Sequence, residues 1–174
     1  MKQAYLLTGG PGVGKTTLIK CAVDRTPMKA GGFFTEEIRV GGTRHGFRIV
    51  TLDGQSGILA HVAVKSPHRV GKYGVDTDCL DSVGVKALND AIDHCDLVVI
   101  DEIGKMELCS PAFREAVHRV LSSNKRLLGT IMLAPNPWAD SIKNHPCVRL
   151  NTVTRANREQ ALEQVLHWLN APIA

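Results

Sequence analysis

The stretch that most constrains the fold is Gly9–Thr17, which reads GGPGVGKTT and so places Gly, four residues, Gly, Lys and Thr in order. Apolar residues at 4–7 precede it, and Leu18, Ile19 and Ala22 follow at helical spacing. A strand, a glycine-rich loop and a helix in this order are typical of a phosphate-binding loop. Glycines let backbone N–H groups converge on an anion, and the helix N-terminus adds partial positive charge. The sequence therefore predicts a nucleoside triphosphate site.

Individual residues of this loop have predicted roles. We expect Lys15 to reach the β- and γ-phosphates, and the Thr16 hydroxyl to bind the Mg²⁺ that bridges the same oxygens. The predicted nucleotide-binding residues of the loop are Gly9, Gly10, Pro11, Gly12, Val13, Gly14, Lys15, Thr16 and Thr17.

Length and composition are those of one globular α/β domain, which we expect to span residues 1–174. Apolar residues make up 44% and charged residues 22%, which argues against a disordered or fibrous protein. The sequence shows no apolar run of the roughly 20 residues that span a bilayer and no cleavable signal pattern. We expect a cytoplasmic monomer without membrane contact.

Charge and cysteine content indicate which ligands and cross-links the sequence favours. The net charge of +4 is modest and aromatic residues are only 5%, so nothing favours nucleic-acid binding, although the charge does not exclude it. The five cysteines are scattered and form no CxxC pair, which indicates reduced thiols rather than a zinc site or disulfides.

After the first helix the pattern changes to that of short strands. Residues 33–39 and 46–52 are predicted strands joined by a hairpin turn at Gly41-Gly42, and residues 58–64 form a third strand. This predicts a small antiparallel β element over 32–64, inserted after the first helix. The polar, glycine-punctuated segment 69–76 is predicted to be a loop.

The rest of the chain alternates between helical and strand patterns. A predicted helix is capped by Asp81 or Ser82 and ends near 94–95, and a buried strand follows at 97–100. A helix starting at Ser110-Pro111 precedes a strand at 127–132 and a rigid loop at 135–137. The last predicted elements are a short strand at 147–150 and a terminal helix whose buried stripe contains Leu162, Val165, Leu166 and Leu169. This alternation predicts a mainly parallel sheet covered on both faces, with the ligand at the carboxyl ends of the strands.

Two acids at the end of the buried strand complete the predicted site. A phosphate loop needs a carboxylate on a neighbouring strand to order Mg²⁺, and Asp101 fits this role. Glu102, directly after it, is suited to hold a water in line with the γ-phosphate and accept its proton. The pair therefore predicts hydrolysis.

A guanine-specific switch protein is a competing interpretation. Asp101-Glu102-Ile103-Gly104 matches the Asp-x-x-Gly of switch GTPases, but no Asn-Lys-x-Asp occurs, since Asn124-Lys125 is followed by Arg126-Leu127. Without the guanine-reading carboxylate, a strict GTP preference has no visible basis.

Several segments resemble one known family, the thermostable or cancer-related nucleoside-triphosphatases. The resemblance covers residues 4 to about 166 and rests on Gly9–Thr16, Thr35-Glu36-Glu37, Gly46-Phe47-Arg48, Gly71-Lys72-Tyr73-Gly74-Val75, Asp101-Glu102-Ile103-Gly104-Lys105-Met106-Glu107-Leu108 and Asn157-Arg158. Phosphate loops occur in many families, whereas the segment 101–108 is far more particular.

The resemblance implies a three-layer, RecA-like α/β domain that hydrolyses nucleoside triphosphates slowly, with Mg²⁺ and broad base tolerance. It implies that Lys15 and Thr16 bind phosphate and metal, that Asp101 orders the metal and that Glu102 activates water. Lys105 is expected either to add charge near the γ-phosphate or to pair with Glu107.

The loop after the last strand is where such folds usually approach the nucleoside. Asn157 and Arg158 in this loop are candidate base contacts, and capping of the terminal helix is the alternative for both.

Two further functions are compatible with the sequence. One is a small kinase acting on a nucleotide or an RNA end, for which segment 65–72 resembles a basic lid. The other is a nucleotide-dependent switch or RNA-binding regulator. Four basic residues are candidate charge suppliers, with solvated surface as their default role: Arg39, Arg48, Arg69 and Lys72.

Overall fold

One mixed sheet runs through the protein, which is described for residues 2–172 in a computed structural model. Within these residues its strands are β1 (Ala4–Thr8), β2 (Ala30–Val40), β3 (Thr43–Thr51), β4 (Ser56–His61), β5 (Arg69–Val70), β6 (Tyr73–Val75), β7 (Leu97–Ile103), β8 (Arg126–Ile131) and β9 (Val148–Thr152). They lie in the order β5-β6-β4-β3-β2-β7-β8-β1-β9.

The half of the sheet from β2 to β9 is parallel, and its central strands β7, β8 and β1 are buried on both faces. Strands β1 and β8 and all but one residue of β7 are buried, which explains their nearly unbroken apolar sequences. Successive residues alternate between two cores. In β1, Ala4 and Leu6 join one core while Tyr5 and Leu7 join the other.

Helices cover the two faces of the parallel strands and make the predicted three layers. The helices are α1 (Lys15–Arg25), α2 (Thr77–Cys79), α3 (Lys86–His94), α4 (Pro111–Ser122), α5 (Pro137–Lys143) and α6 (Arg158–Asn170), with a π-helical turn at Leu80–Val85 and a 3₁₀ turn at Glu107–Cys109. Helices α1 and α6 pack on one face, and α3, α4 and α5 on the other. No helix within the described residues is long and apolar enough to cross a membrane.

Side-chain caps fix where two of these helices begin. The Ser110 hydroxyl accepts a hydrogen bond from the Phe113 amide at 3.0 Å, as the sequence predicted for α4. The prediction of a rigid loop at 135–137 was wrong at its end, because Asn136 caps α5. Its Oδ1 accepts from the amides of Trp138 and Ala139, both at 3.0 Å.

The helix before β7 begins earlier than predicted. Asp76 is its cap, with Oδ1 accepting from the Cys79 amide at 2.8 Å, and the run continues through the π-helical turn to His94. Asp81 and Ser82 therefore lie inside a helical run and cannot cap it. Asp81 instead accepts a hydrogen bond from the Ser110 hydroxyl of α4.

The antiparallel part of the sheet is larger than predicted and is joined to the parallel part. Strand β2 pairs in parallel with β7 through 30–33 and antiparallel with β3 through 33–40, so one strand belongs to both halves. The segment predicted as a loop at 69–76 contains the hairpin β5–β6. Gly71, at φ 57°, makes its turn, and Ala60 of β4 pairs with Val75 of β6.

Candidate active site

The phosphate loop joins β1 to α1 and leaves the start of α1 open to an anion. Gly12 and Gly14 have φ of 72° and 98°, a backbone conformation that other residues adopt only with strain. Gly14 is the cap of α1 and offers no side-chain acceptor to its first amides. These amides are therefore available to phosphate oxygens.

The Lys15 ammonium lies within this loop. Its Nζ donates to the carbonyl oxygens of Gly9 at 2.7 Å and Gly10 at 2.9 Å. The structure thus places the predicted phosphate-binding cation beside the open helix start.

Three threonines from three different elements hold Asp101. Thr16 of α1 donates to Oδ2 at 2.7 Å, and Thr130 of β8 donates to Oδ1 at 2.6 Å. Thr35 of β2 donates to the Asp101 carbonyl oxygen at 2.6 Å. Burial raises the pKa of Asp101, while the hydrogen bonds from Thr130 and Thr16 and the charge of Lys15 act in the opposite direction.

Thr130 and Thr35 were not identified as site residues from the sequence. Thr130 is fully buried and is a polar residue within the apolar strand β8, next to β7. A single hydroxyl group among apolar residues is the sequence feature that could have indicated Thr130 as a site residue. Thr35 lies in a strand whose parallel pairing with β7 was not predicted, so nothing in the sequence placed it beside Asp101.

The Thr16 hydroxyl and the Asp101 carboxylate fit a hard cation such as Mg²⁺. Both groups offer oxygen, which this ion prefers, and their hydrogen bond brings them into direct contact. In residues 2–172 no three His, Cys, Asp or Glu side chains are grouped as a metal site. A cation bound here would therefore take its remaining ligands from phosphates and water, as Mg²⁺ commonly does at nucleotide sites.

Glu102 follows Asp101 through a cis peptide bond and is partly buried at the same cleft. Burial raises its pKa, the nearby Asp101 raises it further, and Lys15 lowers it. The side chain lies against Gly104, where an added Cβ would come within 2.6 Å of Glu102 Oε1. A carboxylate with a raised pKa near the phosphate loop is a suitable proton acceptor.

The predicted alternative of an ion pair between Lys105 and Glu107 is wrong. Glu107 is only 2% exposed, and its Oε2 accepts a hydrogen bond from the Gly104 amide at 3.2 Å. Burial and the nearby Glu102 raise the pKa of Glu107 well above its ordinary value. Lys105 is exposed and lines the cleft, so its role as an added charge stays a prediction.

Asn157 and Arg158 differ in their relation to the cleft. Asn157 closes the turn before α6, because its Oδ1 accepts from the Thr154 amide at 2.7 Å and its Nδ2 donates to the Thr152 carbonyl at 2.9 Å. It makes no side-chain cap on α6 and does not line the cleft. Arg158 does line it and packs on Gly14, where an added Cβ would lie 2.9 Å from Arg158 Cδ.

The four basic residues named as candidate charge suppliers do not line the cleft. Arg39 Nε donates to Glu37 Oε2 at 2.7 Å, and Arg69 donates to the Lys72 carbonyl at 2.9 Å. The Lys72 ammonium lies 5.5 Å from the centre of the Tyr73 ring. Arg48 is exposed, and none of these four lines the cleft, which favours their interpretation as surface residues.

The cleft itself has a volume of about 970 Å³ and extends to both sides of the acids. On the β1 side it is bounded by the phosphate loop and Arg158. On the β2 side it continues to Glu37, Phe47 and Val70. It therefore has room for more than the phosphate groups of a nucleotide.

Comparison with known protein families identifies one family over most of the chain. Residues 4–166 match the family described as NTPase. The chain is 48% identical over 164 residues to the nucleoside-triphosphatase THEP1 of Thermotoga sp. (strain RQ2), an alignment that covers 94% of each protein.

Solved structures give the same result for the fold. The chain is similar to the crystal structure of THEP1 from the hyperthermophile Aquifex aeolicus, with a TM-score of 0.88 and 36% identity over 97% of this chain and 99% of that one. It is also similar to the solution structure of a human cancer-related nucleoside triphosphatase, with a TM-score of 0.80 and 38% identity over 98% of each chain. Both likenesses cover nearly the whole described fold.

Proposed function

The chain belongs to the NTPase family, and on that basis we propose that it hydrolyses nucleoside 5′-triphosphates to diphosphate and phosphate. The observation that carries the proposal is the 2.7 Å hydrogen bond between Thr16 of the phosphate loop and Asp101. This bond brings the carboxyl end of β7, with Glu102, to the start of α1. A triphosphate held by the loop would then have its terminal phosphate beside a partly buried proton acceptor.

In the proposed reaction a water molecule attacks the γ-phosphorus in line with the bridging oxygen. Glu102 receives the proton of the attacking water as the new P–O bond forms. The bond between the γ-phosphorus and the bridging oxygen breaks, and the nucleoside diphosphate leaves with the bonding electron pair. Lys15 and the amides of the loop stabilise the negative charge on the transferred group.

We propose Mg²⁺ as the cofactor, held by Thr16 and Asp101. When bound, it would neutralise charge on the phosphate oxygens. The oxygen donors and their direct contact support this assignment.

We propose that the protein accepts several bases. The Asn-Lys-x-Asp sequence that reads guanine is absent. At the nucleoside end, Arg158 lies beside the loop, and its side chain can stack on any base without discriminating between them.

The proposal is tested by measuring phosphate release from ATP, GTP, CTP and UTP, each with Mg²⁺ and with excess chelator. We expect turnover of all four that stops with chelator. Lys15→Ala should lose both binding and turnover, whereas Lys86→Ala, an exposed residue outside the cleft, should retain both. Turnover that is equal with and without chelator would contradict the metal assignment, and an active Lys15→Ala would contradict the site.

A second candidate function is phosphoryl transfer to an acceptor hydroxyl, as in a small kinase. It is favoured by the extension of the cleft past Glu102 to Phe47 and Val70, on the side of β7 away from the phosphate loop. Triphosphate labelled at the γ-position, mixed with nucleosides and RNA ends, separates the two functions. Label released only as inorganic phosphate supports hydrolysis, and label in an organic product supports transfer.

A further inference from the structure

Glu107 is a buried acid for which the proposed reaction has no use. It lines the cleft and is 2% exposed, yet within residues 2–172 no Lys, Arg or His forms an ion pair with it. A carboxyl group buried without a cation costs free energy. Its place in the fold therefore needs a reason.

Gly104 is held twice by the 3₁₀ turn that carries Glu107. Glu107 Oε2 accepts from the Gly104 amide at 3.2 Å, and the Gly104 carbonyl accepts from the Leu108 amide at 3.0 Å. Both backbone polar groups of Gly104 are thus held, one of them by the Glu107 side chain. The peptide at Gly104 is fixed relative to the 3₁₀ turn that carries Glu107.

The Glu102 side chain packs against Gly104. A Cβ added to Gly104 would lie 2.6 Å from Glu102 Oε1, 3.0 Å from Cδ and 3.1 Å from Cγ. Glu102 therefore occupies the space that the absent side chain of Gly104 leaves. Glu107, Gly104 and Glu102 form one continuous line of contact.

We propose that Glu107 is a positioning residue, which holds Gly104 by accepting its amide hydrogen bond and thereby holds the Glu102 carboxylate in the orientation that receives the proton of the attacking water. This inference rests on the proposed role of Glu102. It assigns to Glu107 neither proton transfer nor metal binding.

The surroundings of Glu107 agree with a role as a hydrogen-bond acceptor. Burial, with the charges of Glu102 and Asp101, raises the pKa of Glu107, which favours the neutral acid. A neutral carboxyl group still accepts the Gly104 hydrogen bond through its carbonyl oxygen.

The test compares Glu107→Leu and Glu107→Gln, because leucine roughly keeps the apolar volume without an acceptor and glutamine keeps the acceptor without an acid. The matched controls are Glu115→Leu and Glu115→Gln, at an exposed position on α4 outside the cleft. For each variant, kcat, KM, the affinity for a non-hydrolysable triphosphate analogue and the melting temperature are measured. Glu102→Gln is included so that the role of Glu102 is judged independently.

We expect Glu107→Leu to lower kcat on the order of 10- to 100-fold, since a displacement near 1 Å at a reacting group has effects of this size. KM and analogue affinity should stay close to those of the parent, and the melting temperature shows whether each variant is folded at the assay temperature. Glu107→Gln should recover most of the lost kcat, and both Glu115 variants should behave as the parent.

Three results with the Glu107 variants would overturn the proposal. Parent kcat in Glu107→Leu would show that Gly104 needs no acceptor. Loss of analogue affinity in parallel with kcat would indicate a general structural role. Glu107→Gln as inactive as Glu107→Leu would show that the acid itself is required. Parent turnover in Glu102→Gln would contradict the proposed role of Glu102 and the positioning role with it, whereas impaired Glu102→Gln beside parent turnover in Glu107→Leu would contradict the positioning role alone.

Discussion

Substitution of Gly104 by alanine gives a direct test of how Glu102 is placed. Gly104 does not have a positive φ, so alanine causes no backbone strain there. The new Cβ would lie 2.6 Å from Glu102 Oε1, whereas ordinary contact begins at 3.4 Å, so the carboxylate must move by about 0.8 Å. A displacement of this order at a reacting group costs up to about 100-fold in rate, which corresponds to roughly 2.7 kcal/mol of activation free energy.

We expect Gly104→Ala to lower kcat by about this factor, while the affinity for a non-hydrolysable triphosphate stays near that of the parent. Stopped-flow detection of released phosphate, with analogue binding measured in parallel, separates the two quantities. The control is Gly54→Ala in the β3–β4 turn, where φ is 92° and nothing lies within 4 Å of the added Cβ. That variant should lose stability and keep turnover. Parent turnover in Gly104→Ala would refute the inferred contact between Gly104 and Glu102.

Three further predictions concern groups around the site. Thr130→Val removes the hydrogen bond to buried Asp101 and should lower the unfolding free energy by about 1.5–3 kcal/mol, seen in chemical denaturation; an unchanged midpoint at constant slope would contradict it. The pKa of Glu107 is raised in the folded state. The contribution of Glu107 to stability is therefore complete below about pH 4.5 and is lost as the pH rises through the raised pKa. The melting temperature of Glu107→Gln relative to the parent should therefore increase from pH 4.5 upward, and a constant difference would count against the buried acid. Asn157→Ala loosens the turn before Arg158 and should raise KM severalfold with little change in kcat in steady-state assays; an equal fall in kcat would contradict this division of roles.

The parallel half of the fold was predictable because its sequence signals are local. The phosphate loop has fixed spacing, and the apolar run at 97–100 indicates a strand covered on both faces. The cap at Ser110 with proline after it located the start of α4. Each of these signals depends on residues that are neighbours in the chain.

The errors arose where partners are distant in the chain. The segment 69–76 is too short and too glycine-rich to indicate strands, and it is ordered as a hairpin by its pairing with β4. The π-helical turn places Asp81 and Ser82 inside a helix, which helical periodicity alone does not reveal. Helix α5 is only seven residues long and begins at Pro137 after Asn136, and because proline and asparagine are also typical of loops, the sequence did not indicate a helix there.

The site residues also fall into two groups, those that the sequence predicts and those that it does not. The sequence indicated Lys15, Thr16, Asp101 and Glu102 because motif spacing and strand order bring them to one edge of the sheet. Thr35 and Glu107 could not be identified, since their roles depend on contacts to Asp101 and Gly104 that only the folded chain creates. The surroundings of a site are thus specified by packing between elements rather than by its motifs.

The most direct test of the central claim is single-turnover hydrolysis by Glu102→Gln. The amide keeps the size of the side chain and cannot act as a base, so the rate of phosphate formation should fall on the order of 10²- to 10⁴-fold. Triphosphate affinity should stay near that of the parent, because Lys15 and the loop amides are unchanged. A Glu102→Gln protein that forms phosphate at the parent rate would contradict the assignment of Glu102 as the residue that activates water.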